Sequence, residues 1–157
     1  MLGRLPRIGL VAAIVLSMAL VTSYEASAKK PQPNPAVEIG TAKVGKLGTV
    51  LVNSSGHVLY MFAPDKHAKV ACDSACQEVW PPVTAPKVGV AKAVGKARQS
   101  LIGSDKNPVT GHRIVTYNGW PLYTYITDHA MDQADGQNID LSGGYWWVLT
   151  PNGHVEK

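Results

Sequence analysis

The sequence predicts a mainly β protein. Two tandem β-hairpin or meander repeats share one core about a pseudo-twofold axis, with one short helical turn near residues 73–80. Three observations lead there. The stretch Leu59-Tyr60-Met61-Phe62-Ala63-Pro64-Asp65 returns as Leu122-Tyr123-Thr124-Tyr125-Ile126-Thr127-Asp128, and both reduce to Leu-Tyr-x-aromatic-x-x-Asp. Each copy follows a β-branched run and a turn signal, Asn53-Ser54-Ser55-Gly56 in the first and Asn118-Gly119 in the second, which is the pattern of a hairpin. Each is then answered, after a loop, by a Trp-bearing segment at 78–83 and at 145–149. A repeat of this length cannot cover its own apolar face, so the copies are expected to share a core.

Residues 1–28 read as a signal peptide: Arg4 and Arg7 form a positive start, 8–21 are apolar, and Ala26-Ser27-Ala28 is a cleavage signature. Cleavage near Ala28 leaves a chain of about 130 residues, enough for one domain with a core of its own. Residues 29–36, with Pro31, Pro33 and Pro35, read as a flexible polar tether. A single β domain at 37–157 follows, its repeats at about 37–86 and 99–157 and its linker at about 87–98, the linker lysines solvated. Without Arg4, Arg7 and Glu25 the formal charge falls from +4 to about +3. No run of adjacent basic side chains accompanies it, which argues against a nucleic-acid partner.

Within the domain, Val37 and Ile39 alternate as an edge strand would, and 49–52 and 57–62 form the first hairpin. Pro64 ends the second of these strands because it has no N–H to give. In the helical turn Ser74 and Gln77 have capping-box spacing, and Pro81-Pro82 stops the helix. The second half offers strands at 100–103, 113–117 and 120–125. A polar loop at 128–144, a strand at 145–149 and a turn at Asn152-Gly153 into a last short strand complete it.

The doubled Tyr-x-(Phe/Trp/Tyr)-x-x-Asp motif and the Cys-x-x-x-Cys segment running into Trp80-Pro81-Pro82 resemble the bacterial secreted lipoprotein-repeat family. The run Tyr117-Asn118-Gly119-x-Pro-Leu-Tyr123 and the closing Gly143-Gly144-x-Trp146 resemble it too. The likeness covers nearly all of 41–151. It implies an exported protein, periplasmic or extracellular, and brings no biochemical activity with it. This chain departs from the family in having no lipobox cysteine, and no stable membrane anchor is expected after cleavage.

Five groups of residues invite a chemical reading. In a strand Tyr60 and Phe62 share one face, as do Tyr123 and Tyr125. Either those rings pack into the core, with Asp65 and Asp128 accepting backbone or tyrosine hydrogen bonds, or they form an exposed strip for a sugar or a quinone. Cys72 and Cys76 read as a local disulfide of an exported protein. Their three-residue spacing differs from that of the usual redox dithiol, and two thiols are too few for structural zinc. His129 and Met131, with His57, Met61 and His67 in the first copy, are soft donors that suit copper; otherwise they are plain loop and strand residues. Asp128, Asp132, Asp135, Asn138 and Asp140 crowd one loop with Gly136 but lack the EF-hand order of ligands. Ser54, Ser55 and Ser142 lack the nucleophile-elbow setting, and no glycine-rich phosphate loop appears.

The expectation is a non-catalytic exported β-repeat module that binds something or serves the cell envelope as a scaffold, with no assigned cofactor. A copper or redox-associated binding protein is the alternative, and a thiol-disulfide oxidoreductase using Cys72 and Cys76 the third reading. The partner, a small molecule or an envelope component, is left open.

Overall fold

The computed structural model describes Gly3 and residues 37–65 and 69–157. The rest of the expected leader, the tether up to residue 36, and His67 lie outside the described residues. Strands β1 (Glu38–Val44) and β2 (Gly48–Asn53) form an antiparallel hairpin, in register from Ile39 opposite Asn53 to Val44 opposite Gly48. They turn through a short 3-10 segment, Gly45–Leu47, whose ends need the positive φ of Gly45 (42°) and Gly48 (71°).

The first strand is not at an edge, as its alternation suggests. A two-residue strand, β4 (Lys92–Ala93), lies parallel along it, through Lys92 N–H to the Val37 carbonyl (2.8 Å) and Val94 N–H to the Ile39 carbonyl (3.0 Å). The connection between the halves therefore does more than cross the surface. It adds a strand and buries Ala91 while leaving Lys87, Lys92 and Lys96 exposed.

The first motif forms β3 (Tyr60–Phe62), shorter than the expected 57–62 strand, with Val58 bridging back to Val52. Helix α1 (Ser74–Val79) follows. Its cap is Asp73, which accepts the Cys76 N–H at 2.9 Å, and not Ser74. Gln77, free of a capping duty, instead donates to the Cys72 carbonyl (2.8 Å) and exchanges hydrogen bonds with the buried Asn107 amide (3.0 and 3.1 Å).

In the second half β5 (Ile102–Lys106), β6 (Arg113–Tyr117) and β7 (Trp120–Pro121) make an antiparallel sheet in that order. The expected strand at 120–125 stops at Pro121 because the backbone beyond it changes partners. Tyr123 bridges to Tyr60 on one side and to Pro82 on the other, and the Thr124 N–H goes to the Pro81 carbonyl at 2.9 Å. The polar loop at 128–144 holds a strand that the sequence hides, β8 (Ile139–Leu141), which pairs with β9 (Gly144–Val148). Only Ile139 of β8 is half-buried, so no apolar alternation marks it. Its one local signal is Ser142-Gly143, both at positive φ (61° and 87°), a two-residue hairpin turn.

The two halves are interleaved. The Trp segment of the second copy pairs with the first copy: Val148 lies opposite Tyr60, and the Leu51 N–H reaches the Leu149 carbonyl at 3.0 Å. Its counterpart does the reverse. Pro82 lies opposite Tyr123, and the Val115 N–H reaches the Val83 carbonyl at 2.8 Å. These matched pairs are the pseudo-twofold in atomic terms. Strand β3 has no solvent face either, and Leu122 and Tyr123 of the second copy are equally buried. Tyr60, Phe62, Tyr123, Trp80 and Trp146 lie in one buried cluster; Leu59, Met61, Leu122, Tyr117 and Leu149 lie in another. The shared core is thus divided in two by the motif backbone, and both copies feed each part.

Candidate functional site: two motifs that close on each other

At the pseudo-axis the backbones of Tyr60 and Tyr123 exchange both hydrogen bonds, at 2.9 and 3.0 Å. From that point each tyrosine side chain reaches the carboxylate of the other copy. Tyr60 Oη donates to Asp128 Oδ2 at 2.6 Å, and Tyr123 Oη donates to Asp65 Oδ2 at 2.7 Å. The motif's Tyr and Asp are therefore not partners within a copy; they are halves of two reciprocal bonds. Asp65 also accepts the Ala71 N–H (2.6 Å) and Asp128 the Asp135 N–H (3.0 Å), so each carboxylate gathers its own following loop.

Tyr60, Tyr123 and Asp65 are wholly buried and Asp128 is 6% exposed. Burial raises both carboxylic acids above their ordinary range, and the hydrogen bonds they accept from tyrosine and backbone lower them in turn. Burial pushes both phenols up, helped by the carboxylate each one faces. Such phenols stay protonated and donate to the carboxylates, while Tyr60 Oη also accepts the Gly136 N–H at 3.2 Å. The arrangement is a pair of charge-assisted fastenings, and it presents no reactive group to an incoming substrate.

The second aromatic of each motif also crosses the axis. Phe62 stacks on Trp146 (centroids 4.3 Å) and Tyr125 stacks on Trp80 (4.1 Å), while Trp80 and Trp146 stack on each other at 3.8 Å. The result is one column, Phe62–Trp146–Trp80–Tyr125, with Tyr60 and Tyr123 set edge-on to Trp80 and Trp146 at 5.4 and 5.2 Å. Packing is tight enough that Gly136 and Gly144 have no room for a Cβ. One would meet the Trp80 ring at 2.7 Å, the other Pro64 at 2.5 Å. Of the motif rings only Tyr125 is half-exposed, so an open aromatic strip does not exist.

Cys72 and Cys76 form a disulfide with Cα atoms 5.3 Å apart, and both are buried, at 1% and 4% exposure. It ties the chain entering α1 to the helix's first turn. Buried sulfurs are withheld from an attacking thiolate, which is what exchange chemistry requires. Replacing both by serine is expected to lower stability by about 2 kcal/mol, the chain-entropy value for so short a loop. A urea titration followed by circular dichroism reads the effect.

The copper candidates are only partly brought together. Met131 lies across the turn that carries His57, so close that a Cβ on Gly56 would sit 2.7 Å from its sulfur. His57 is near enough to Asp128 to help hold its carboxylate charged. His129 is exposed, its backbone N–H donating to Gln133 at 2.8 Å, and Met61 is in the core. Among the described residues no three His, Cys, Asp or Glu side chains converge as a metal site would need. In the acidic loop Asp128 is taken by Tyr60 and the Asp135 N–H, and Asp135 accepts from Gln133.

The reciprocal pairing itself had no local signal, since its partners are 58 and 68 residues apart. The doubling of the motif was the available clue. Among the described residues no helix is long and apolar enough to cross a membrane. Comparison with curated proteins and with solved structures yields no match. The model of a family described as a secreted repeat of unknown function matches residues 41–84 and 106–150, one match around each motif and more than half of the chain in all. The chain belongs to that family of secreted repeats.

Proposed function

We propose that the protein is a non-catalytic exported scaffold, with the repeated motif serving as the fastening between its two copies. One observation carries this reading: all four polar groups of the motif are consumed, buried, in the reciprocal Tyr60–Asp128 and Tyr123–Asp65 bonds. A catalytic carboxylate needs reach to a substrate proton, and these two have spent theirs on holding loops. The test is complementation of a deletion strain by Tyr60→Phe/Asp128→Asn and Tyr123→Phe/Asp65→Asn variants. Rescue should follow the folded fraction of each variant. A variant that melts like the wild type yet fails to complement overturns the fastening role.

The contact of Met131 with the His57 turn favours one second reading, a Cu(I) site on that surface. Titration of the purified protein with Cu(I) against a competing chelator tests it. Tight binding lost in Met131→Leu supports copper, and no binding tighter than micromolar removes it.

A further inference from the structure

Away from the motif, two loops meet around a cleft of about 390 Å³, lined by residues 84–87 on one side and 111–113 on the other. The first loop runs Pro86-Lys87-Val88-Gly89-Val90 and is rooted at both ends by buried alanines, Ala85 and Ala91. Val88 is 91% exposed and Val90 56%. The second loop is the β5–β6 turn. Asn107, buried at its base, accepts the Val109 N–H at 3.0 Å, and Val109 is held out 42% exposed. The Ala85 N–H to the Arg113 carbonyl, at 2.8 Å, keeps the two loops side by side.

Val88 and Val90 on the first loop and Val109 on the second put three exposed valines on the two loops that border the cleft, unlike the singly scattered apolar residues of an ordinary surface. Basic side chains accompany them: Lys87 is next to Val88 in the first loop, and Lys106 and Arg113 close β5 and open β6 on either side of the second. The other basic residues of the linker lie farther off, Lys92 and Lys96 along β1 and Arg98 at the Tyr117 end of β6. Lys92 is in a long ion pair with Glu38 (3.9 Å). Lys106 stands directly opposite Arg113 in the β5–β6 register, a like-charge pairing that is unfavourable on its own. Arg113 is fixed at the cleft by donating to Ser104 Oγ (2.7 Å) and to the Ser104 carbonyl.

We propose that this end of the molecule docks on an anionic membrane surface. Val88, Val90 and Val109 enter the boundary between headgroups and acyl chains, while Lys87 and Arg113 take the phosphate of an anionic phospholipid. Apolar side chains at loop tips ringed by Lys and Arg are the composition that interfacial binding uses, each part too weak alone. A bound phosphate also relieves the repulsion between Lys106 and Arg113. The proposal goes beyond the scaffold role and does not depend on it, because the motif lies in the core and the loops do not.

The test is co-sedimentation of the exported protein with vesicles of phosphatidylglycerol and phosphatidylethanolamine, beside vesicles of phosphatidylcholine alone. Binding to the anionic vesicles alone is expected. Val88→Asp/Val90→Asp should weaken it at least about tenfold, and Lys87→Gln and Arg113→Gln about fivefold each. Ile126→Asp, at an exposed apolar position of the second motif copy, serves as the control and should bind like the wild type. All these positions are exposed or at the cleft rim, and thermal melting of each variant confirms that it is folded. Equal binding to both vesicle types, or valine variants that bind as the wild type does, overturns the proposal. So does a His112 NMR shift on adding inorganic phosphate without any vesicle binding, which would assign the cleft to a soluble phosphate.

Discussion

Replacing Trp146 by alanine is expected to cost about 3–5 kcal/mol, the range for deleting a large buried aromatic. Total stabilities of small domains are about 5–15 kcal/mol, so the variant should sit near its unfolding threshold. Trp146 is wholly buried, stacks on Trp80 and Phe62, and meets Tyr123 edge-on. Its indole N–H donates to the Leu141 carbonyl at 3.0 Å, which secures the β8–β9 hairpin. The cavity cannot close by local collapse, because its walls are rings contributed by both copies and held by backbone pairing on either side. Trp147, next in sequence, is half-exposed, stacks on the exposed Tyr145 and packs against the second core cluster from its outside. Trp147→Ala should therefore cost less than half as much. Urea unfolding of the two variants, followed by far-ultraviolet circular dichroism, compares them directly. Equal losses would mean that the Trp column is not the core's main support.

The second large effect is at the reciprocal bonds. Tyr60→Phe removes a donor from a buried carboxylate and should cost about 1.5–3 kcal/mol, the value for a hydrogen bond to a charged group. Tyr123→Phe should cost a similar amount, and the double variant about the sum if the two bonds act independently. Because both bonds straddle one axis, a coupling beyond that sum is the informative result.

The same site gives stability a definite dependence on pH. Asp65 and Asp128 titrate higher in the folded state than the ordinary carboxylate value of about 3.9. Through the window from that value up to their folded values, the native state binds more protons than the unfolded one. Their contribution is therefore full below the ordinary carboxylate value and is lost as pH rises through the folded values. The buried phenols follow the same sign at the alkaline end, where their contribution is full below about pH 10 and is lost above it. Asp65→Asn/Asp128→Asn should flatten the acid-side slope relative to wild type, measured as unfolding free energy against pH. Parallel curves for the two proteins would exclude these carboxylates as its source.

Local features were readable where local chemistry decides them. Asn118-Gly119 marked the turn between β6 and β7, the Pro pair stopped α1 at Val79 with Trp80 as its C-cap, and two cysteines four apart joined as a disulfide. Features set by distant partners were not. Asp73 displaced Ser74 as the cap because Gln77, the other half of the expected capping box, is drawn to Asn107 thirty residues away. Strand β8 escaped because only one of its side chains is even half-buried, so pairing with β9 defines it and hydrophobic pattern does not. The cleft was invisible because its two sides, 84–87 and 111–113, come from the end of the first repeat and from the β5–β6 turn, segments without local pattern until the Ala85–Arg113 bond sets them together.

The sequence by itself determined the class of the molecule: a mainly β chain with a doubled motif, one short α-helix among the described residues, one disulfide and membership of a secreted-repeat family. Period-two alternation, turn residues and repetition are written in neighbouring residues and need no third dimension. Only the tertiary structure decided which groups of the motif are partners. A tyrosine at the start of each copy and an aspartate at its end look like partners along the chain, but an antiparallel crossing at Tyr60 and Tyr123 carries each phenol to the other copy's carboxylate. The twofold relation of the two strands makes that exchange, and no single copy contains it.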